Sequence, residues 1–176
     1  METLRAILTR RSIRNFLPEG IEEQKVELLL RAAMQAPSAH NKQPWQFVVI
    51  MERELLNAIA DFHPYAKMLH QAPLALAVCG DLRREKDERY LALNCAAATQ
   101  NILLAAHNLE LGAVWVAIYP RKARIDKIKE LLELPQFVLP ISLVAVGYPK
   151  RSAEPEERYD AKKVHFNTWQ RGWPEY

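Results

Sequence analysis

The chain has 176 residues, and its 24 lysines and arginines against 21 acidic residues leave a net charge of +3. That length suits one domain, and a hydrophobic content of 49% excludes intrinsic disorder as the main state. The charge surplus is too small to argue for nucleic acid, no apolar stretch approaches the roughly 20 residues that span a bilayer, and two cysteines exclude a disulfide framework or a four-cysteine metal site.

The first residues, METLRAILTRR, are basic but do not form a secretory signal, so a cytoplasmic location is expected. Thr3 to Thr9 reads as a short helix with Leu4, Ile7 and Leu8 on one face. Glu22 to Gln35 reads as a longer one, with Val26, Leu29, Leu30 and Ala33 at helical spacing. The Ala36-Pro37 pair should end it, because a residue before proline avoids the helical region. Trp45 to Met51 and Leu74 to Cys79 read as buried strands. Glu88 to Leu109 is the longest helical segment and is apolar on most faces, from Leu91 and Leu93 to Leu104. Such a helix is buried in a core or a subunit interface. Gly112 is expected just past its end. Val114 to Ile118 is a third strand, Arg124 to Leu134 a helix stopped by Pro135, and Ile141 to Val146 a fourth strand. From Pro149 onward the chain turns polar, with Trp169, Trp173 and Tyr176 in the tail. Four short strands cannot bury so many apolar helical faces in a doubly wound sheet. An α+β domain whose long helix packs on a partner is expected.

The five glycines lie too far apart for a dinucleotide-binding or Walker-type loop. The five histidines lack metal-ligand spacing, and Cys79 and Cys95 read as core residues. Chemistry must come from elsewhere. Arg10-Arg11-Ser12-Ile13-Arg14 follows the first helix. If it runs extended, alternation points Arg10, Ser12 and Arg14 to one side. Two guanidinium forks with a hydroxyl between them suit a phosphate. Arginines at a helix end also complement its dipole, for about 0.3–1 kcal/mol. The segment Pro37 to Trp45 is a loop pinned by two prolines. Ser38, Asn41 and Gln43 offer it donors and acceptors in a plane, as a heterocycle requires. Tyr119-Pro120 closes a strand, where ligands often bind. Arg158 could supply another positive charge from the tail.

In this order, the segments RRSIRNF, PSAHNKQPWQFVVI, NCAAATQNILLAAHNLELGAVWVAIYP, VAVGYP, PEERYD and VHFNTW resemble the nitroreductase family of FMN-dependent oxidoreductases. The resemblance covers nearly the whole chain. It implies a single FMN-binding domain over residues 1–176, with a mixed sheet flanked by helices in an intertwined homodimer. Residues 149–176 would be an extended tail on the partner subunit. FMN would lie at the subunit interface. Arg10, Arg11, Ser12, Arg14 and Arg158 would hold its phosphate. Pro37, Ser38, Ala39, Asn41 and Gln43 would border its ring from the other subunit, with Tyr119 and Pro120 passing nearby. His63-Pro64-Tyr65 would join the pocket lid. The implied activity takes hydride from NADH or NADPH and passes two electrons to a nitroaromatic, quinone or flavin acceptor by a ping-pong mechanism. No nucleophile or metal is needed, and no nucleic-acid or membrane partner is expected. The alternatives are the same fold with a dehalogenating or flavin-degrading reaction, and a noncatalytic module for a phosphorylated ligand.

Overall fold

Residues 2–151 and 153–172 are described in a computed structural model. Helix α1 spans Thr3–Thr9, α2 Glu23–Met34, α3 Arg53–Phe62, α4 Glu88–Asn108 and α5 Lys122–Leu131. Strands β1 (Trp45–Ile50), β2 (Leu74–Asp81), β3 (Gly112–Ala117) and β4 (Val138–Gly147) form one sheet in the order β1-β2-β4-β3. Every ladder in it is antiparallel. Where a mixed sheet is expected, the parallel element is an isolated bridge between Ser12 and Ala113.

Strands β2 and β4 are buried along their whole length because helices cover both faces. On one face, Val26 and Leu29 of α2 pack with Leu91, Cys95, Ala98 and Ile102 of α4. On the other, Leu56 and Ile59 of α3 pack with Ile128 of α5. The β2–β4 register shifts between Val78 and Cys79, leaving Ile141 as an extra residue beside Pro140. A bulge is one of the few places where a central strand tolerates proline. The Ile141 carbonyl accepts the N–H groups of both Ile118 and Tyr119, at 3.2 and 3.1 Å. The bulge thereby turns the end of β3 into the Tyr119-Pro120 segment.

Helix α4 ends one residue from the expected bound and α5 three residues short of it, and both stops are made by glutamate. Helix α4 does not rely on Gly112 to stop. Glu110 takes the left-handed conformation (φ 63°), and Leu111 N–H closes onto the Ala106 carbonyl at 2.8 Å. Helix α5 ends before Pro135 in the same way, with Glu133 at φ 51° and Leu134 N–H on the Lys129 carbonyl at 2.9 Å. Both are Schellman endings with glutamate where glycine is usual. Gly112 instead opens β3, where a Cβ would collide with Ile13.

The long helix is apolar on most faces, and one chain covers only part of it. Leu93 stays 66% exposed, as do Leu4 and Leu8 of neighbouring α1 at 66% and 63%. The tail has little regular structure, and Tyr159 and Trp169 are exposed. Trp173 and Tyr176, the other expected tail aromatics, lie outside the described residues. Among the described residues, no helix is long and apolar enough to cross a membrane.

Candidate functional site

The segment after α1 is held against β3. Ile13 N–H donates to the Ala113 carbonyl at 3.0 Å, beside the Ser12–Ala113 bridge. Arg10 and Arg11 border a cavity of about 260 Å³, with Ile13, His107 and Glu110. Arg158 arrives from 148 positions along the chain. Its charge and that of Arg11 add to partial burial in pulling the Arg10 pKa below its usual value. Glu156 pairs with Arg11 and stands 3.1 Å from an Arg158 nitrogen. These two guanidinium groups hold the Glu156 carboxyl below its usual range. Arg10 has no ion pair among the described residues, so the most crowded guanidinium is the one without an anion. His107 donates to the Thr9 hydroxyl at 2.8 Å, since that hydroxyl donates to the Arg5 carbonyl at 2.7 Å. Burial, then the Arg10 charge, pushes the His107 pKa down.

Alternation does not place Arg14 with Arg10, as expected from an extended segment. Arg10 and Arg11 face the first cavity, Ser12 lies exposed between, and Arg14 borders a second cavity of about 730 Å³. The parallel bridge to β3 rotates the segment as it passes the strand edge. Tyr65, Lys67, Trp115 and Arg124 share the second cavity. Of the segment expected to join the lid, Pro64 and Tyr65 line this cavity, while His63 is buried. Tyr119 is half-buried, packed against the α2–α4 face of the core rather than on either cavity, and Pro120 is exposed.

The loop from Pro37 to Pro44 is densely hydrogen-bonded for a polar segment. His40, Asn41 and Gln43 all adopt positive φ, at 53°, 53° and 46°. Such conformations persist where surrounding contacts over-determine them. Gln43 N–H donates to the Ser38 hydroxyl at 3.0 Å, and the Gln43 amide donates to Asn41 at 2.8 Å. Lys42 pairs with buried Glu85 at 2.7 Å, whose carboxyl is lowered chiefly by that bond. Ala39 N–H donates to Asn94 of α4 at 3.0 Å. Sequence reasoning missed Lys67, Arg124, Glu85 and Asn94. Asn94 alone left a signal, as a polar residue within the apolar run of α4.

One chain does not unite the two halves of the expected site. The arginine segment lies beside Ala113 at the start of β3, on one edge of the sheet. The Pro37–Pro44 loop enters β1 on the opposite edge, beside Gly80 at the far end of β2. Counted over the strand register, they stand about 20 Å apart along the strands and about 14 Å across them.

A profile of the nitroreductase family matches residues 7–148. The chain belongs to the nitroreductase family. It is 41% identical over 169 residues to a Methanothermobacter thermautotrophicus protein provisionally named NADH dehydrogenase/NAD(P)H nitroreductase, covering 96% of this chain and 88% of the relative. A crystal structure from Bacteroides thetaiotaomicron with the same provisional name superposes with a TM-score of 0.90 at 45% identity, over 94% of this chain and 96% of that one. A provisionally named nitroreductase from Desulfovibrio desulfuricans, solved in complex with FMN, is 30% identical with a TM-score of 0.82, over 96% and 98% of the two chains. The TM-scores show that both structures share the fold of this chain.

Proposed function

We propose that the protein is an FMN-dependent oxidoreductase that takes hydride from NADH or NADPH. It passes two electrons to a nitroaromatic, quinone or flavin acceptor by ping-pong turnover. The working unit is a cytoplasmic homodimer with FMN at the subunit interface. The convergence of Arg10, Arg11 and Arg158 carries this reading, because Arg10 is repelled by its neighbours and has no ion pair among the described residues. A phosphate dianion fits that need through charge-assisted hydrogen bonds. The FMN complex of the Desulfovibrio desulfuricans relative supports the cofactor. The name of the Methanothermobacter thermautotrophicus relative supports the electron donor.

Bound FMN supplies the two-electron chemistry. This chain's residues bind and orient it. Arg10, Arg11, Ser12 and Arg158 hold the phosphate. Arg14, on the second cavity, would supply a positive charge near the ring, where it favours the reduced, anionic form. Pro37, Ser38, Ala39, Asn41 and Gln43 present a preset rim of donors and acceptors, and Tyr119 and Pro120, on neither cavity within one chain, would pass near the ring. The separation of the two halves within one chain supports assembly across a dimer. So do the open apolar faces of α1 and α4. Residues 149–176 lie along the partner in this reading.

An absorption spectrum of the purified protein, with FMN added and the excess removed, tests the proposal. A retained flavin spectrum that bleaches with NADH or NADPH is expected. A folded dimer that retains no flavin would refute it.

A further inference from the structure

Asn94 lies on the α4 face that packs against the sheet, between Leu91, Cys95 and Ala98, and is only 5% exposed. Its carbonyl oxygen accepts the Ala39 N–H at 3.0 Å. Its amide nitrogen is buried without a partner, alone in this respect among the described side chains. A buried donor left unmade costs stability, and an apolar residue of similar shape would avoid that cost. Asn94 is therefore a poor choice for packing. What it does instead is reach the loop that carries three left-handed, non-glycine residues. Among the described residues, the other hydrogen bonds tying that loop to the rest of the chain are made at its far end, by Lys42 to Glu85, by Arg84 to the Gln43 carbonyl and by Asp81 N–H to the Pro44 carbonyl. Asn94 anchors the near end, at the turn immediately before His40 and Asn41.

We infer that Asn94 is a positioning residue for cofactor binding, fixing through Ala39 N–H the loop that borders the flavin ring. The inference rests on the function proposed above. Only the acceptor oxygen does the positioning, and the partnerless amide nitrogen is its by-product. Stability and flavin affinity should therefore separate when the side chain is changed.

The test compares wild type, Asn94→Leu, Asn94→Asp and Ala39→Pro in thermal melting and FMN titration. Asn94→Leu removes both the anchor and the orphan donor. It is expected to melt at or above the wild-type temperature while its FMN Kd rises at least tenfold. Asn94→Asp keeps an acceptor for Ala39 N–H and should hold Kd within threefold. Ala39→Pro removes the donor from the loop side and leaves α4 intact, and Ser38 is already extended, as a residue before proline must be. It should weaken FMN as Asn94→Leu does, so an unfolded Asn94→Leu protein does not end the test. Wild-type affinity in both Asn94→Leu and Ala39→Pro would overturn the inference while leaving the proposed function standing. So would a parallel loss of melting temperature and affinity in both Asn94 variants, which marks a purely structural residue. A wild-type protein that binds no FMN would overturn both readings.

Discussion

Replacing Gly112 with alanine tests the link between the sheet and the arginine segment. A Cβ at Gly112 would stand 2.7 Å from Ile13 Cγ2 and 2.9 Å from Ile13 Cβ. The contact at 2.9 Å is with Cβ, the root of a branched side chain, which cannot rotate aside. Ordinary carbon contacts lie at about 3.5–4.0 Å, so the segment must lift from β3 by about 1 Å. Overpacking of this kind costs about 1–3 kcal/mol. For a domain of this size that lowers Tm by about 2–12 °C. The lifted segment carries Arg10, Arg11 and Arg14, so FMN affinity should fall with it. Loss of one charge-assisted hydrogen bond, about 1.5 kcal/mol, corresponds to about tenfold in Kd. Calorimetry and FMN titration would be run beside Gly20→Ala, where a Cβ meets nothing within 4 Å. If Gly112→Ala matches that control in both Tm and Kd, the close approach has no consequence and the reasoning fails.

Arg158→Ala should raise the FMN Kd by about three- to tenfold, at the low end of charged hydrogen bonds because Arg158 is exposed. The difference should shrink as salt is added, and a salt-independent loss would point away from charge. His63 is buried and neutral, its Nδ1 accepting Tyr65 N–H at 3.2 Å while Nε2 faces the Ala117 carbonyl at 3.1 Å. Burial lowers its folded pKa below 6.5, so the unfolded chain takes the proton first. Its stabilising effect is full above pH 6.5 and is lost as pH falls through the folded pKa. Melting curves from pH 7.5 to 5 should therefore show a decline that His63→Gln flattens in part, since His107 is lowered in the same direction. An unchanged slope in that variant would sink the assignment. Burial pushes the Cys79 and Cys95 thiols up to about 12. Both should resist a thiol reagent at pH 8 in the folded protein and react once it is unfolded; fast reaction of the native protein would contradict their burial.

Much of the architecture was legible because the apolar spacing is strong. Helix α1 matches the expected bounds, and α2, α4 and the four strands fall within a few residues of theirs. Helix α3 was missed, although Leu55, Leu56, Ile59 and Ala60, at i, i+1, i+4 and i+5, share one helical face. Expected strand bounds fell short for β2 and β4, because strands buried on both faces lack alternation to mark their ends. The end of α5 was misjudged, because Glu133, not Pro135, supplies the left-handed stop and closes the helix at Leu131.

The sequence alone determined the family and the α+β class and singled out the segments proposed to bear chemistry, because those are local patterns of residue type. Tertiary structure decided how the segments meet. The bridge to Ala113 sends Arg10 and Arg14 to different cavities, which alternation in an isolated strand cannot do. Arg158 reaches Arg10 only because Phe16 bridges Pro149 and Lys150 N–H reaches the Asn15 carbonyl, turning the tail back along the first segment. Asn94 gains its meaning only when α4 meets the loop at Ala39, 55 positions earlier. Contacts of that separation depend on the whole sheet and its helices being in place.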